Sequence, residues 1–185
     1  SFPMTVADTI LKAMEQAVPE RTIAGHHADL CVGRVSGFAP DSGRLFIGHL
    51  GPTGGGWGAK HNEDGMCATV CLNDGDTHNT PCEQIEAKFP LMFEKHALRQ
   101  DSGGAGKCRG GGGAEQGVMA RAHVKVCTRI ERNYCPPWGL AGAGPGMGNK
   151  VDLRINGKEG TDLPNGKLSL RRLGPGYALT LKAGG

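Results

Sequence analysis

Four short stretches carry side chains whose types and spacing could do chemistry. Cys67, Cys71, His78 and Cys82 offer thiolates and imidazole, the donors that tetrahedral zinc prefers. Their spacing works against one shared ion. In an extended strand, residues four apart share a face but sit about 13 Å apart, while each sulfur must lie about 2.3 Å from the metal. Unless 67–71 turns, the four do not converge, and His78 with Cys82, flanking a polar loop, are left as the candidate metal pair. His26-His27-Ala28-Asp29 is also rich in donors. Adjacent side chains of an extended chain point to opposite faces, so at most one histidine shares a side with Asp29. We read this stretch as a solvated loop ahead of a strand.

The run Gly103-Gly104-Ala105-Gly106-Lys107 could turn successive backbone N–H groups toward an anion. A nucleotide-binding loop of the Gly-x-x-x-x-Gly-Lys-Ser/Thr type needs glycine where Asp101 stands and a hydroxyl where Cys108 stands. The pattern fails twice, so a structural turn between strands is expected and no cofactor is assigned to it. Asp101 and Arg109 flank the loop and can pair across it. Together with Glu83 they are the candidate catalytic residues; Glu83 enters because it lies three positions before Glu86, and the two would project together from a helix. Acid–base work would further require a carboxyl perturbed within a cleft. No Ser–His–Asp set or reactive-cysteine signature stands out. Trp57 and Trp138 stand beside glycines, suited to packing over loop backbone or to a subunit contact.

The elements that must position these residues are mostly strands. One amphipathic helix is expected over Val6 to Val18, with apolar residues at 6, 7, 10, 11, 14, 17 and 18. Thr5 can cap it, Asp8 sits near its positive end, and Pro19 stops it. One face should pack, while Lys12, Glu15 and Gln16 meet water. Beyond Pro19, Leu30 to Val35 and Leu45 to Leu50 flank a turn-forming stretch at 39–43, which suggests a hairpin. Met66 to Leu72 is a short apolar run, and Phe89 to Leu98 reads as extended. Val118, Ala120, Ala122, Val124 and Val126 alternate with polar or exposed positions as one half-buried strand. Val151 to Ile155 leads into Asn156-Gly157, a strong hairpin signal. A second Asn-Gly at 165–166 precedes Leu168 to Leu173, and Tyr177, Leu179 and Leu181 close the series. The expected class is α+β, mainly antiparallel β with one N-terminal amphipathic helix, spanning 1–185 as a single domain.

Composition narrows the function. Lys plus Arg number 21 and Asp plus Glu 18, a formal charge of +3. That bias is too small to argue for nucleic acid or an anionic membrane, and the sequence shows no basic run beyond Arg171-Arg172. No apolar run approaches the roughly 20 residues of a membrane span, and no secretory signal is evident. Seven cysteines, several inside apolar strands, suit a reduced cytoplasmic protein. Glycine is the outlier: 32 of 185 residues, in clusters at 54–56, 103–104, 110–113 and 142–148. Such clusters mark tight or closely approaching backbone between ordered elements.

Four of these segments, in order, resemble the C-terminal part of the hydantoinase B family. They are Gly54-Gly55-Gly56-Trp57-Gly58-Ala59 with Asp64-Gly65, then Asn79-Thr80-Pro81-Cys82-Glu83-Gln84-Ile85-Glu86 leading to Phe89-Pro90-Leu91. Leu98-Arg99-Gln100-Asp101-Ser102-Gly103-Gly104-Ala105-Gly106-Lys107 with Arg109-Gly110-Gly111 follows, and Pro136-Pro137-Trp138-Gly139-Leu140 completes the set. Cys82 and Cys108 depart from the pattern. The resemblance implies a B-type subunit of N-methylhydantoinase, 5-oxoprolinase, or acetone or acetophenone carboxylase. It also implies a hydantoinase A-like partner subunit of the actin/hexokinase superfamily that holds ATP and Mg and activates a carbonyl or amide oxygen by phosphorylation. Hydrolysis of a cyclic amide or carboxylation of a ketone then follows; a split B-type chain would suit the multi-subunit carboxylases. Any divalent metal is expected in the part of the subunit preceding this segment, with none on this chain. The chain opens without Met before a helix and stops at Gly184-Gly185, so a fragment or a naturally split subunit is expected. It would supply scaffold and part of an active-site wall. The alternatives are a non-catalytic assembly module or a small zinc-binding domain.

Overall fold

The computed structural model describes residues 2–70, 77–163 and 165–185. Two antiparallel sheets face each other across one core. The first opens with a hairpin of β1 (Gly33–Phe38) and β2 (Leu45–Leu50), paired from Gly33–Leu50 to Phe38–Leu45. Its turn is closed by Gly43, whose φ of +64° only glycine adopts without strain. β5 (Val124–Arg129) pairs with β1, and β8 (Lys167–Leu173) with β5, giving the order β2-β1-β5-β8. The second sheet has the order β3-β4-β9-β6-β7, built from β3 (Leu91–Leu98), β4 (Ala114–Ala120), β6 (Lys150–Ile155), β7 (Lys158–Asp162) and β9 (Ala178–Lys182). Asn156 and Gly157 both take positive φ at the β6–β7 turn, the backbone that a two-residue hairpin requires.

The alternation from Val118 to Val126 is not one strand. β4 ends at Ala120, and β5 begins at Val124 in the other sheet. Val118 and Ala120 reach the core from one sheet and Val124 and Val126 from the opposite one, so the pattern of burial stays unbroken while the backbone changes partners. Val35, Leu50, Leu91, Val151, Leu179 and Leu181 complete the centre. Apolar burial of this kind contributes roughly 25 cal/mol per Å² removed from water.

The N-terminal helix, α1, spans Phe2–Met14 rather than Val6 to Val18, so Thr5 lies inside it and not at its cap. It packs through Met4 and Asp8, while Val6, Ile10 and Met14 of the expected apolar face stay exposed. Polar partners decide the orientation: Thr22 Oγ1 donates to the Leu11 carbonyl at 3.0 Å, and the Ala141 N–H donates to Glu15 at 3.1 Å. A second helix, α2 (Cys82–Lys88), adds to the single helix expected; it buries Ile85 and ends where Phe89 turns extended ahead of Pro90. The Phe89 ring lies so close to Gly48 that a Cβ there would sit 2.4 Å from it.

Among the described residues, no helix is long and apolar enough to cross a membrane.

Candidate functional site

The glycine clusters meet at one end of the two sheets and lock into each other through backbone bonds. Gly56 donates to the Gly184 carbonyl at 2.8 Å, Gly111 to Trp57 at 2.9 Å, Ala68 to Gly112 at 2.8 Å and Gly144 to Ala105 at 2.8 Å. A Cβ on Gly56 would sit 1.8 Å from the Gly111 oxygen, which no real contact allows, so the close approach itself demands glycine. Ser102 is built into this knot: its hydroxyl donates to the Arg99 carbonyl at 2.9 Å and accepts from the Gly113 N–H at 2.8 Å. Beside the knot lies a cleft of about 520 Å³, lined by Glu20, Lys60, His61, Lys107, Cys108 and the backbone of 140–144. It offers cations and backbone dipoles, with no paired acid and base in hydrogen-bond contact.

A buried polar cluster ties α1 to this end. Asp8 and Arg132 form an ion pair at 2.8 Å, their side chains only 4% and 10% exposed. Asp8 also accepts from Trp138 Nε1 at 3.1 Å and from the His26 N–H at 3.3 Å, while Arg132 donates to the His26 carbonyl at 2.9 Å. Both charges thus have hydrogen-bond partners besides each other, the condition under which a buried pair is tolerated. His26 and His27 lie within, and so does Asp29. Sequence reading had this stretch solvated; the structure buries all of it. Ala28 and Cys31 take positive φ, and the tight bend lets His26 Nδ1 accept from the Ala28 N–H at 2.8 Å and Asp29 accept from Cys31 and Glu131. Burial holds both imidazoles neutral: it lowers His26, partly offset by Asp8, and takes His27 down to about 3. It raises the Asp29 carboxyl for the same reason. His27 lies against Gly55, where a Cβ would fall 2.0 Å from its ring, and neither of its nitrogens makes a well-formed hydrogen bond among the described residues.

The candidates from sequence are dispersed. Asp101 and Arg109 do pair across the glycine loop, at 2.7 Å, with both side chains more than half exposed. Arg109 holds the Asp101 carboxyl below its usual range through that hydrogen bond. Glu86 accepts from the Phe93 N–H at 2.6 Å and so anchors α2 to β3, whereas Glu83 is exposed. Cys82 Sγ lies 3.2 Å from His96 Nδ1, a partner from β3 that spacing did not suggest. Cys67 accepts from the Gly112 N–H at 3.1 Å, which places it in the glycine knot. Cys71 and Leu72 lie outside the described residues. Among the described residues no three His, Cys, Asp or Glu side chains are placed to share a metal. Trp57 and Trp138 both spend their indole N–H internally, on the Val70 carbonyl and on Asp8.

A two-sheet antiparallel unit with its loops knitted through glycine backbone defines the class of fold. The profile of the Hydantoinase B/oxoprolinase family matches residues 2–185, and the chain belongs to that family. Caprolactamase subunit beta of Pseudomonas jessenii is 30% identical over 171 residues, which cover 84% of this chain and 28% of that subunit. Two solved structures share the fold: ATP-dependent caprolactamase from Pseudomonas jessenii, with a TM-score of 0.77 at 22% identity over 94% of this chain, and nucleotide-free acetone carboxylase, with 0.70 at 17% over 93%. The chain spans 31% and 27% of those two chains.

Proposed function

We propose that residues 1–185 form one domain, the C-terminal segment of a B-type subunit, working in an ATP-dependent complex that hydrolyses a cyclic amide or carboxylates a ketone. The observation that carries this is the family match along 2–185, with Asp101 and Arg109 spent on each other and Glu86 on backbone. Asp101 and Arg109 neutralise each other at the surface of the glycine knot, and Glu86 serves the backbone of β3. In this reading Asp101, Arg109 and Glu83 shape a wall of the site rather than react. ATP and Mg belong to a hydantoinase A-like partner subunit, any divalent metal belongs to the preceding part of the B-type subunit, and the complex is cytoplasmic. The relative named caprolactamase favours lactam hydrolysis over the carboxylation that a split chain suggested.

The test is purification of the complete polypeptide with its companions, followed by assay of ATP-coupled consumption of lactams and ketones. An ATP-binding companion and ATP-coupled turnover are expected. A complex with neither overturns the reading. Full turnover after loop 101–113 is shortened would favour a purely assembling role.

A further inference from the structure

The four-stranded sheet has an outer face that the core does not use. Residues directly opposite each other on neighbouring strands point to the same side. Through the register, Ile47, Ser36, Lys125 and Arg172 therefore form one row across all four strands, His49, Arg34 and Cys127 a second, and Leu45 with Phe38 a third. Every one of these side chains is exposed or half-exposed, whereas Val35, Leu50, Val124 and Val126 on the other side are buried.

The charge on this sheet has one sign. Its strands carry Arg34, Lys125, Arg129, Lys167, Arg171 and Arg172, and neither Asp nor Glu. Lys167 pairs with Glu131 beyond the end of β5, and Asp41 sits out in the hairpin turn. Among the described residues, Arg34, Lys125, Arg129 and Arg172 have no ion-pair partner. Lys125 and Arg172 stand directly opposite each other, a like-charge arrangement that disfavours the strand pair unless a counter-charge arrives from elsewhere. Beside the cations, Phe38, Leu45 and Ile47 are 66%, 65% and 62% exposed. A recess of about 480 Å³ lies between, lined by Phe38, Pro40, Leu45, His123, Lys125 and Arg172. An apolar recess bordered by unpaired charge matches the apolar centre and polar rim of a protein interface, and its concave shape suits an inserted side chain.

We propose that this outer face docks a companion subunit of the assembly, through a surface that presents an apolar patch bordered by carboxylates. The inference rests on the reading of the chain as part of a larger complex, and not on which reaction that complex performs. Carboxylates of the partner would separate Lys125 from Arg172 electrostatically, fix the register of the contact and speed its formation. An apolar side chain of the partner would fill the recess.

The test uses the complete polypeptide purified with its companions. A carbodiimide, which joins an amine only to a carboxylate in direct contact, is applied and the links are mapped by mass spectrometry. Lys125 is expected to couple to an Asp or Glu of a companion subunit. Lys125→Glu with Arg172→Glu is expected to weaken association at least tenfold, and Lys125→Arg with Arg172→Lys to retain it, with unchanged circular dichroism in both. Lys125 uncoupled and labelled by an amine reagent as fast as a free lysine overturns the proposal. So does coupling within its own polypeptide or to a second copy of it, or an effect of the charge reversal confined to binding of nucleic acid or anionic vesicles. ATP-coupled turnover is recorded in parallel: its absence while Lys125 still couples counts against the functional reading alone, and turnover with Lys125 uncoupled counts against the docking surface alone.

Discussion

The two sheets share a core but differ in how they settle their charges. The strands of the five-stranded sheet mix both signs, with Glu94, Glu115 and Asp152 among Lys95, Lys150, Arg154, Lys158 and Lys182. Lys95 and Lys182 both reach Glu115, Lys182 also meets Asp152 at 2.5 Å, and Arg154 pairs with Glu94. The four-stranded sheet has six bases and no acid on its strands. One sheet pairs opposite charges across its strands; the other carries charge of one sign. A net charge of +3 conceals this concentration of bases on one sheet.

If the inward-facing contacts carry stability and the outer face carries association, substitutions should sort accordingly. The largest effect is expected at the buried ion pair. Asp8→Ala leaves Arg132 charged and without a counter-ion, and should lower unfolding free energy by about 3–5 kcal/mol in a denaturant titration. Gly56→Ala forces a methyl into the Gly111 backbone and should cost about 3 kcal/mol by the same measurement.

Acid should act through the histidines. In the fold, His27 titrates at about 3 against an ordinary 6.5, so the unfolded chain takes up the proton first. Its contribution is therefore intact above about pH 6.5 and is lost as pH falls from there toward 3, at roughly 1.4 kcal/mol per pH unit. His26, lowered as well, acts in the same direction. His27→Leu should flatten that acid limb in denaturation curves followed across pH. On the five-stranded sheet, Glu115→Gln removes the carboxylate shared by Lys95 and Lys182 and should cost about 0.5–1 kcal/mol. The smallest effect is expected where the sheets differ most. Arg172→Glu should leave stability within about 0.5 kcal/mol, or raise it slightly by relieving Lys125, so a loss comparable to that of Glu115→Gln would erase the contrast.

Local signals were legible and long-range ones were not. The Asn156-Gly157 hairpin, the β1–β2 hairpin and the core-facing positions of β4 and β5 could be read because each depends on residues near in sequence. The jump between sheets at 121–123 could not, since one alternating pattern serves two sheets facing a common core. His26 to Asp29 looked solvated because their burial depends on Asp8, 18 positions before His26, and on Arg132, 106 positions after it. The helix faced the wrong way in the sequence reading for the same reason: Asp8, a charged residue, is among its most buried. The Asp101–Arg109 pairing was foreseeable, being local to one loop; the contact of Cys82 with His96 across α2 and β3 was not. The basic face is assembled from β1, β5 and β8, whose cations no sequence window brings together.

The central claim is that this domain frames the reaction without performing it. The most direct measurement is kcat for ATP-coupled substrate consumption by the purified assembly carrying Asp101→Asn, Arg109→Gln or Glu83→Gln, one at a time, with assembly checked by light scattering. The account predicts values within about threefold of the unsubstituted complex, because general acid–base groups typically contribute a hundredfold or more and it assigns these residues no such role. A fall of about a thousandfold in an intact assembly, at any of the three, would contradict it.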